Sequence, residues 1–372
     1  MHIGTITFHA AHNFGSVLQA YALQTFVEEI CEEKKIPCEY TILNYRSPIQ
    51  KQMYRVLPCP DSLKNIIKLL MRLPYYSQYK EKYNSFETFI SKVLHTSTEV
   101  NSVKELLLEA NKCEKLLCGS DQIWNIRAKD STIAYYLYYP EKPKYSYAAS
   151  FGPLQIDWNK YDRQFYSEAL KRFKTISVRE EGSADIVEEL TGKRPEIHVD
   201  PTLLLDKDKW ESLASNYGEG RGKYILVYCL EPTKNQLQII NSISQQMHLP
   251  VIITRYNNKN DYFNNFIKCY SSGPDDFLSL VKNAELIITS SFHGTAFSIL
   301  MEKTFFVIDG LSDNRISSLL SLTGLTSRSI NSMNIENIIG NAYSIDFCIA
   351  RKQLIHERQR SKDYLLRIIH EI

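Results

Sequence analysis

The chain has 372 residues, enough for two or three domains, and is 44% hydrophobic and 23% charged, which is the composition of a globular protein. Its 44 lysines and arginines stand against 42 acidic residues, so the net charge is +2. A balance this close to zero argues against a partner held mainly by electrostatics, such as duplex DNA or an anionic membrane surface. We therefore expect no nucleic-acid partner.

The N-terminus and the cysteines suggest a cytoplasmic location. Met1–Phe8 lacks the basic stretch and apolar core of a cleavable signal peptide and instead predicts a strand. No apolar run approaches the ~20 residues of a membrane-spanning helix. The eight cysteines show no C-x-x-C spacing, which argues against a zinc site or a disulfide framework. We expect reduced thiols and no metal.

Strands alternate with amphipathic helices along the chain, the pattern of parallel sheets that are covered on both faces. A strand over Ile3–Phe8 leads through the loop 9–15 into a helix that begins near Ser16, in a capping-box sequence (Ser-Val-Leu-Gln). A second strand is predicted over Tyr40–Tyr45. Residues 47–110 contain basic and aromatic helical stretches, which we interpret as a helical insertion.

The alternation resumes after the insertion and then begins a second time. A charged, glycine-containing stretch around 206–222 predicts a hinge between the two sets. The pattern therefore predicts an α/β protein with two Rossmann-like domains that face each other across a cleft. Their expected bounds are 1–210, including the insertion, and 222–348, with a final helix at 350–372 that packs back toward the N-terminal domain.

In parallel α/β domains, ligands bind beyond the carboxyl ends of the strands, where loops meet helix N-termini. The loop 9–15 is one such place. Gly15 permits a tight turn, Asn13 tolerates unusual dihedrals, and the helix dipole favours an anion or a polar ligand. The loop is not G-x-G-x-x-G, so a dinucleotide is not indicated. A plain strand-to-helix turn explains it equally well.

The segment 118–125 follows an apolar strand and is unusually polar. Asp121 could act as a base or orient a hydroxyl group, Gln122 could contact a substrate, and Trp124 could stack on a sugar ring. The alternative is a helix start that is capped by Ser120 or Asp121. Only a functional role explains why Trp124 stands among polar neighbours, so we predict a substrate-binding segment.

The segment 287–295 gives the sharpest prediction, because an apolar strand ends in Ser290 and Ser291 just before His293 and a helix. Gly294 and Thr295 belong to the same helix start, which favours an anion. A phosphate or carboxylate bound there would favour the imidazolium form and make His293 a proton donor. A lone histidine is more often structural, but its place at a strand's carboxyl end favours the catalytic role.

Two arginines are candidates for holding an anionic substrate. Arg179 stands just past one predicted strand, and Arg315 follows the strand after the histidine helix. Either guanidinium could clamp a carboxylate or a phosphate with two hydrogen bonds. The alternative for both is a surface ion pair, for example between Arg179 and Glu181 or Asp185.

Six short segments, spread along nearly the whole chain, carry a family resemblance. They are Asn13-Phe14-Gly15, Gln19-Ala20-Tyr21-Ala22-Leu23-Gln24, Gly119-Ser120-Asp121-Gln122-Ile123-Trp124-Asn125, Ser177-Val178-Arg179-Glu180, Asp200-Pro201-Thr202 and Ser291-Phe292-His293-Gly294. In this order and spacing they resemble the polysaccharide pyruvyltransferase family. The resemblance implies a GT-B-like pair of domains and transfer of a pyruvyl group from phosphoenolpyruvate to a saccharide. The product would be a pyruvate ketal on a cell-surface polysaccharide or on its lipid-linked precursor.

The resemblance also implies roles for residues of this chain. His293 matches the family's active-site histidine, and Arg179 matches an arginine that binds phosphoenolpyruvate. Members commonly carry an arginine where this chain has Ser291, and often Gly-Asp where it has Gly15-Ser16, so Arg315 becomes the first candidate to complete the anion clamp. No cofactor is implied beyond the donor, and a lipid-linked acceptor would bring the protein to the membrane periphery.

Two other functions fit the same architecture. One is a glycosyltransferase that uses a nucleotide sugar, with the phosphates at His293 and Arg315. The other is a saccharide-binding protein that retains the fold without catalysis. The three functions differ in the donor that is consumed: phosphoenolpyruvate for the pyruvyltransferase, a nucleotide sugar for the glycosyltransferase, and none for the binding protein.

Overall fold

The computed structural model describes residues 1–138, 141–152, 156–229, 232–254, 266–330, 340 and 342–371. In the first half of the chain the elements are β1 (His2–Ile6), α1 (Phe14–Glu33), β2 (Glu39–Ile42), α2 (Pro48–Met53), α3 (Leu63–Arg72), α4 (Tyr76–Val93), α5 (Val103–Asn111), β3 (Lys115–Cys118), β4 (Lys144–Ser146), α6 (Arg163–Lys171), β5 (Ser177–Val178), α7 (Glu181–Thr191) and β6 (Glu196–Ile197). In the second half they are α8 (Lys207–Leu213), β7 (Ile225–Tyr228), α9 (Lys234–Met247), β8 (Val251–Ile253), β9 (Ile267–Lys268), α10 (Pro274–Asn283), β10 (Leu286–Thr289), α11 (Phe292–Leu300), β11 (Phe305–Ile308), α12 (Asn314–Leu322), β12 (Ser329–Ile330) and α13 (Cys348–His370). Short 3₁₀ turns lie at Leu73–Tyr75, Ile133–Tyr136, Pro201–Leu203, Gly310–Ser312 and Thr326–Arg328.

Two parallel sheets organise the chain. The first has the order β2-β1-β3-β4, and single bridges at Tyr145–Thr175 and Ala149–Val178 continue it toward the parallel pair β5-β6. The second has the order β12-β11-β10-β7-β8-β9, with every pair parallel. Their central strands are fully buried, as expected for strands covered on both faces. The predicted α/β class with parallel sheets is confirmed.

The chain divides into two compact units. The first contains residues 1–76, 86–204 and 356–372, and the second contains residues 77–85 and 205–355. The stretch predicted as a hinge begins with helix α8, whose Trp210 is fully buried against Phe297 of the same unit at a ring distance of 5.0 Å. This packing assigns α8 to the second unit, so the division falls at Leu204 and not at 210.

Helix α1 begins two residues earlier than predicted. Its N-cap is Asn13, whose side chain accepts a hydrogen bond from the Gly15 amide at 3.0 Å. Ser16 therefore lies inside the first turn, and its hydroxyl group donates to Asp121 at 2.6 Å. The capping-box interpretation of Ser16 is wrong because Asn13, a stronger cap in extended conformation, stands where the chain leaves the strand.

The second half of α13 is part of the first unit. The Lys115 ammonium group donates to the carbonyl groups of Ile368 at 2.7 Å and Ile369 at 3.0 Å, and also to that of Glu371. The hydroxyl group of Tyr364 donates to the Ser146 carbonyl at 2.8 Å. A cation on the last carbonyls of a helix satisfies acceptors that have no intrahelical partner and complements the negative end of the helix dipole.

Helices α2 to α5 occupy the region that was predicted as an insertion. Among them α4 and α5 bury residues such as Phe86 and Leu106, whereas α3 buries none of its side chains. Among the described helices, none has both the length and the apolar character that crossing a membrane would require.

Candidate functional site

The carboxyl ends of the strands in the first unit bring four charged side chains together. Asp121 follows β3, Arg179 and Glu180 follow β5, and Asp200 follows β6. The Arg179 guanidinium contacts Asp200 Oδ2 at 2.7 Å through Nη1 and Glu180 Oε2 at 3.3 Å through Nε. Asp121 Oδ1 lies 3.9 Å from Nη1. We call these four residues the buried charge cluster.

One guanidinium thus stands among three carboxylates, all within the protein interior. The side chain of Arg179 is 2% exposed. Burial alone would lower the pKa of Arg179, but Asp200, Glu180 and Asp121 together raise it above its usual range, so the guanidinium stays charged.

Hydroxyl groups satisfy further carboxylate oxygens of the buried charge cluster. Thr202 donates to Asp200 Oδ1 at 2.8 Å, and Ser150 donates to Glu180 Oε1 at 2.7 Å. The hydroxyl group of Ser183 also donates to Glu180. Such bonding is what makes a buried ionic group tolerable, because each unsatisfied charge would carry a large desolvation cost.

Asp121 is held in an unusual conformation. Its φ is +73°, in the left-handed region that a non-glycine residue adopts at some cost, although aspartate tolerates it better than most. Its Oδ1 accepts the Gln122 amide at 2.8 Å and its Oδ2 accepts the Ser16 hydroxyl at 2.6 Å. Asp121 itself is buried, 6% exposed. Its predicted role as a base or hydroxyl orienter stays a prediction.

Arg179 has different partners from those the sequence suggested. Glu181 and Asp185 pair with Arg194 on the surface, so the proposed surface pair is wrong. Because Nε and Nη1 of the Arg179 guanidinium contact Glu180 and Asp200, a substrate anion would compete with these carboxylates for Arg179. Donor binding by Arg179 stays a prediction.

Trp124 is a core residue. Its indole is fully buried, stacked 5.8 Å from the ring of Tyr136 and packed against Phe151 and Phe173. The indole N–H donates to the Tyr135 carbonyl at 3.2 Å, so the polar edge is satisfied internally. The predicted stacking of Trp124 on a sugar ring is therefore wrong.

The other polar residues of these two loops have local roles in the structure. Asn13 caps α1, and Gly15 supplies the amide that Asn13 accepts. Gln122 is half-buried and its side-chain carbonyl accepts from Asn125 at 3.0 Å. Substrate binding by Asn13, Gly15 and Gln122 stays a prediction.

In the second unit, β10 ends at Thr289 and α11 begins at Phe292 with Ser291 as its N-cap. His293 is the second residue of the helix and is 8% exposed, with its ring 5.3 Å from that of Phe292. The segment 291–294 directly follows the strand, as predicted, but the helix begins at Phe292, so His293 lies inside its first turn and not before it. Ser290 is half-buried, whereas Ser291 and Thr295 are buried.

A buried thiol lies beside Ser290. Cys229 follows β7, the strand that pairs with β10, and Ser290 hydrogen-bonds to its sulfur. Burial raises the pKa of the Cys229 thiol to about 11, although the bond from Ser290 acts in the opposite direction. The thiol therefore stays protonated near neutral pH and is not a nucleophile.

Gly294 allows α11 to approach the sheet closely. A Cβ at this position would overlap Thr289 Oγ1 and would lie 2.9 Å from Tyr228 Cδ1. Thr289 Oγ1 is fixed, because it donates to the Tyr228 carbonyl at 2.6 Å and accepts the Ser291 amide at 3.0 Å. Glycine at 294 is thus required to seat the helix that carries His293.

We expect Gly294→Ala to destabilise the second unit by about 1–3 kcal/mol, the usual cost of overpacking, and to displace His293. Chemical denaturation measures the first effect and turnover the second. Gly340→Ala is the matched control, since an added Cβ there meets no atom of the described residues within 4 Å. If Gly294→Ala is as stable and as active as the wild type, the close packing of α11 on the sheet does not fix the position of His293.

Arg315 also lies past a strand end of the second unit, as predicted. It follows β11, the neighbour of β10, and is the second residue of α12. Its guanidinium forms two hydrogen bonds with Asp313, at 3.0 Å from Nε and 2.5 Å from Nη2. Arg315 therefore forms an ion pair, which was the alternative to anion binding. To clamp a substrate anion with Nε and Nη2, its guanidinium would have to release Asp313.

Sequence reasoning named the motifs of the first unit but missed how they combine. Ser16, Glu180 and Asp200 were not chosen as site residues, although each contacts Asp121 or Arg179. The available signal was position, because Glu180 and Asp200 each stand within three residues of a strand end. Among the described residues there is no group of three or more His, Cys, Asp or Glu side chains placed to hold a metal ion.

The fold is similar to that of several solved structures. A UDP-GlcNAc 2-epimerase from Methanocaldococcus jannaschii aligns with 12% identity and a TM-score of 0.53, over 99% of each chain. A putative UDP-N-acetylglucosamine 2-epimerase from Listeria monocytogenes aligns with 10% identity and a TM-score of 0.53, over 96% of this chain and 90% of the other. A third, from Rickettsia bellii, gives 11% identity and 0.52 over 99% and 96%. The fold is thus GT-B-like, as predicted.

Sequence comparison identifies the family. No curated protein matches the chain. The sequence model of the polysaccharide pyruvyl transferase family, in contrast, matches residues 13–312, which include every predicted site residue except Arg315. The match covers well over half of the chain, so this protein belongs to the polysaccharide pyruvyl transferase family of transferase enzymes.

Proposed function

We propose that the protein transfers a pyruvyl group from phosphoenolpyruvate to a saccharide of a cell-surface polysaccharide or of its lipid-linked precursor. Family membership supports the reaction class. One structural observation supports the donor: His293 stands in the first turn of α11, where β10 ends. The positive end of the helix dipole favours an anionic ligand there, and an imidazole is the side chain best suited to donate a proton at neutral pH.

The proposed reaction balances with two hydroxyl groups of one acceptor. A proton added to the methylene carbon of phosphoenolpyruvate makes the central carbon electrophilic, and the first hydroxyl oxygen bonds to that carbon. The bond from the central carbon to the phosphate oxygen then breaks, and the second hydroxyl oxygen takes its place. Of the two hydroxyl protons, one replaces the proton that the acid gave to the methyl group and the other leaves with phosphate.

We assign the acid role to His293 and the base role to Asp121. The donor's carboxylate and phosphate would meet the first turn of α11, with Ser290, Ser291, Gly294 and Thr295. Asp121 would orient or deprotonate an acceptor hydroxyl, and the hydrogen bonds that it accepts from Ser16 and Gln122 would hold its carboxylate in place. No cofactor is part of this proposal.

Arg315 is the proposed second contact for the donor. If its guanidinium exchanges Asp313 for a substrate anion, phosphoenolpyruvate should raise the melting temperature by mass action. Arg315→Gln should reduce that rise, since a bidentate anion contact has no neutral equivalent. Differential scanning fluorimetry across a donor titration measures both effects.

Arg194→Gln is the control for Arg315→Gln, because Arg194 is an exposed arginine that is paired with Glu181, Asp185 and Glu188. A donor-induced rise that is identical in wild type and Arg315→Gln would remove Arg315 from the proposed site.

Product analysis tests the function itself. The purified protein is incubated with a panel of saccharides and either phosphoenolpyruvate or nucleotide sugars. Phosphate release with a mass gain of a pyruvate ketal on the saccharide supports the proposal. Release of a nucleoside diphosphate indicates a glycosyltransferase, and saccharide binding without turnover of any donor indicates a binding protein. Either of these last results contradicts the proposal.

A cytoplasmic location is part of the same proposal. All eight cysteines are described, and none of them forms a disulfide. Free thiols at buried positions such as Cys118 and Cys229 are what a reducing compartment allows.

A further inference from the structure

Helix α3 exposes an apolar face that nothing in the described chain covers. Five of its ten residues are apolar side chains that are between 39% and 75% exposed. They are Leu63, Ile66, Ile67, Leu70 and Met71. Their spacing of three and four places them along one side of the helix, and we call them the α3 apolar face.

The opposite side of α3 is basic. Lys64, Lys68 and Arg72 follow one another at intervals of four residues, and the helix contains no acidic residue. Lys64 and Lys68 are exposed. A contiguous apolar face with a cationic flank, on a helix of low mean hydropathy, is the pattern of helices that lie in a membrane interface.

The positive charge of the protein is concentrated around this helix. Residues 48–83 contain seven lysines and arginines but only two acidic residues, a net charge of +5. The whole chain carries +2, so the remainder carries −3. The same 36 residues include five of the tyrosines, a side chain that is enriched where apolar and aqueous phases meet.

Packing against the described residues does not account for α3. The helix forms from local signals, because Ser62 caps it at Asn65 and Pro74 follows its end. An isolated helix of ten residues is only marginally stable in water, and an exposed apolar face of this size is unusual unless a partner covers it. A lipid surface supplies both the apolar medium and, when anionic, the counter-charge for the basic flank.

We propose that α3 docks the protein on an anionic lipid bilayer, lying parallel to the surface with its apolar face among the upper acyl chains. At ten residues α3 is about 15 Å long, half the ~30 Å needed to span the hydrocarbon core. A second copy of the chain is a weaker occupant, since pairing two such faces would bring two basic flanks together. This inference does not depend on which donor the enzyme uses.

Vesicle flotation of the full chain tests the proposal. The wild type should float with vesicles of phosphatidylcholine and phosphatidylglycerol and much less with phosphatidylcholine alone, and high salt should release it. Ile67→Asp with Leu70→Asp should weaken partitioning by at least about tenfold, because two apolar side chains lose their burial. Lys64→Gln with Lys68→Gln should weaken it about tenfold on anionic vesicles only.

Leu108→Asp is the matched control, since Leu108 is 62% exposed on α5. The melting temperature of each variant shows that it is folded, and none should change because these side chains are not buried. Failure of the wild type to float, or equal floating of the wild type and Ile67→Asp with Leu70→Asp, overturns the proposal. So does a dimer that these two substitutions dissociate while vesicles bind nothing. Because no donor or acceptor enters this assay, its outcome is separate from that of the proposed transferase activity.

Discussion

Replacing His293 with alanine should abolish turnover with only a small change in stability. A positioned general acid typically contributes ~10²–10⁴-fold to the rate, and no other described titratable side chain is placed in the first turn of α11. His293 is nearly buried, so a loss of about 2–4 °C in melting temperature is expected from the missing contacts. Phosphate release from phosphoenolpyruvate and thermal unfolding measure the two effects.

Two further variants isolate the proton-donating role of His293. His293→Asn keeps most of the side-chain volume and the ability to hydrogen-bond, and it should be as inactive as the alanine variant. His356→Ala removes an exposed histidine from another helix and should leave turnover unchanged. Turnover of His293→Asn within a few-fold of the wild type would show that His293 does not carry the proton.

The position of His293 was predictable because it follows from local sequence alone. Three apolar residues followed by a threonine and two serines predict a strand that ends at the edge of a sheet, and a helix start is expected directly after it. Gly294 was predicted only as part of the helix start, because its close approach to Tyr228 depends on how α11 packs on the sheet.

Trp124 shows where such local reasoning fails. Its neighbours Gln122 and Asn125 are polar, but they bond to each other, and the indole packs on Tyr136, Phe151 and Phe173. Those three aromatic residues lie between 12 and 49 positions further along the chain, so their contacts with Trp124 depend on the tertiary fold. Trp124 thus has polar neighbours in the sequence but aromatic neighbours in the structure.

The net charge is a second case in which the sequence alone was misleading. The net charge of +2 argued against an anionic membrane surface, because it averages over the whole chain. The charge of +5 on residues 48–83 is visible in the sequence, but its meaning depends on the exposure of the α3 apolar face, which only the structure shows. Interfaces respond to local charge within about a Debye length, roughly 10 Å, and not to the sum over the protein.

For Arg179 the sequence located the residue but not its partners. Glu181 and Asp185 are nearer in sequence, yet they lie on α7 and face Arg194. Asp200 is 21 residues away and meets Arg179 because β5 and β6 are adjacent parallel strands whose carboxyl ends coincide. This arrangement makes Arg179 a structural residue in the present geometry, whatever part it takes in binding.

Arg179→Met should therefore cost about 3–5 kcal/mol of stability, the usual effect of leaving buried carboxylates without their cation. Asp121, Glu180 and Asp200 would all lose a positive neighbour in an interior that offers little water. Denaturation by urea measures the loss. Arg179→Lys should recover part of it, because the charge returns without the forked geometry that reaches two carboxylates.

A double-mutant cycle separates the ionic contribution from packing. Combining Arg179→Met with Asp200→Asn should lower the free energy of unfolding by clearly less than the sum of the two single changes. Each single substitution leaves the charge of the other residue buried without its partner, and the double substitution does not. Arg194→Met is the surface counterpart, because that arginine also faces three carboxylates but is 44% exposed, and it should leave stability nearly unchanged. A different result would contradict this structural role. If Arg179→Met unfolds at the same urea concentration as the wild type and only raises KM for phosphoenolpyruvate, the guanidinium binds the substrate and the carboxylates position the guanidinium for that binding.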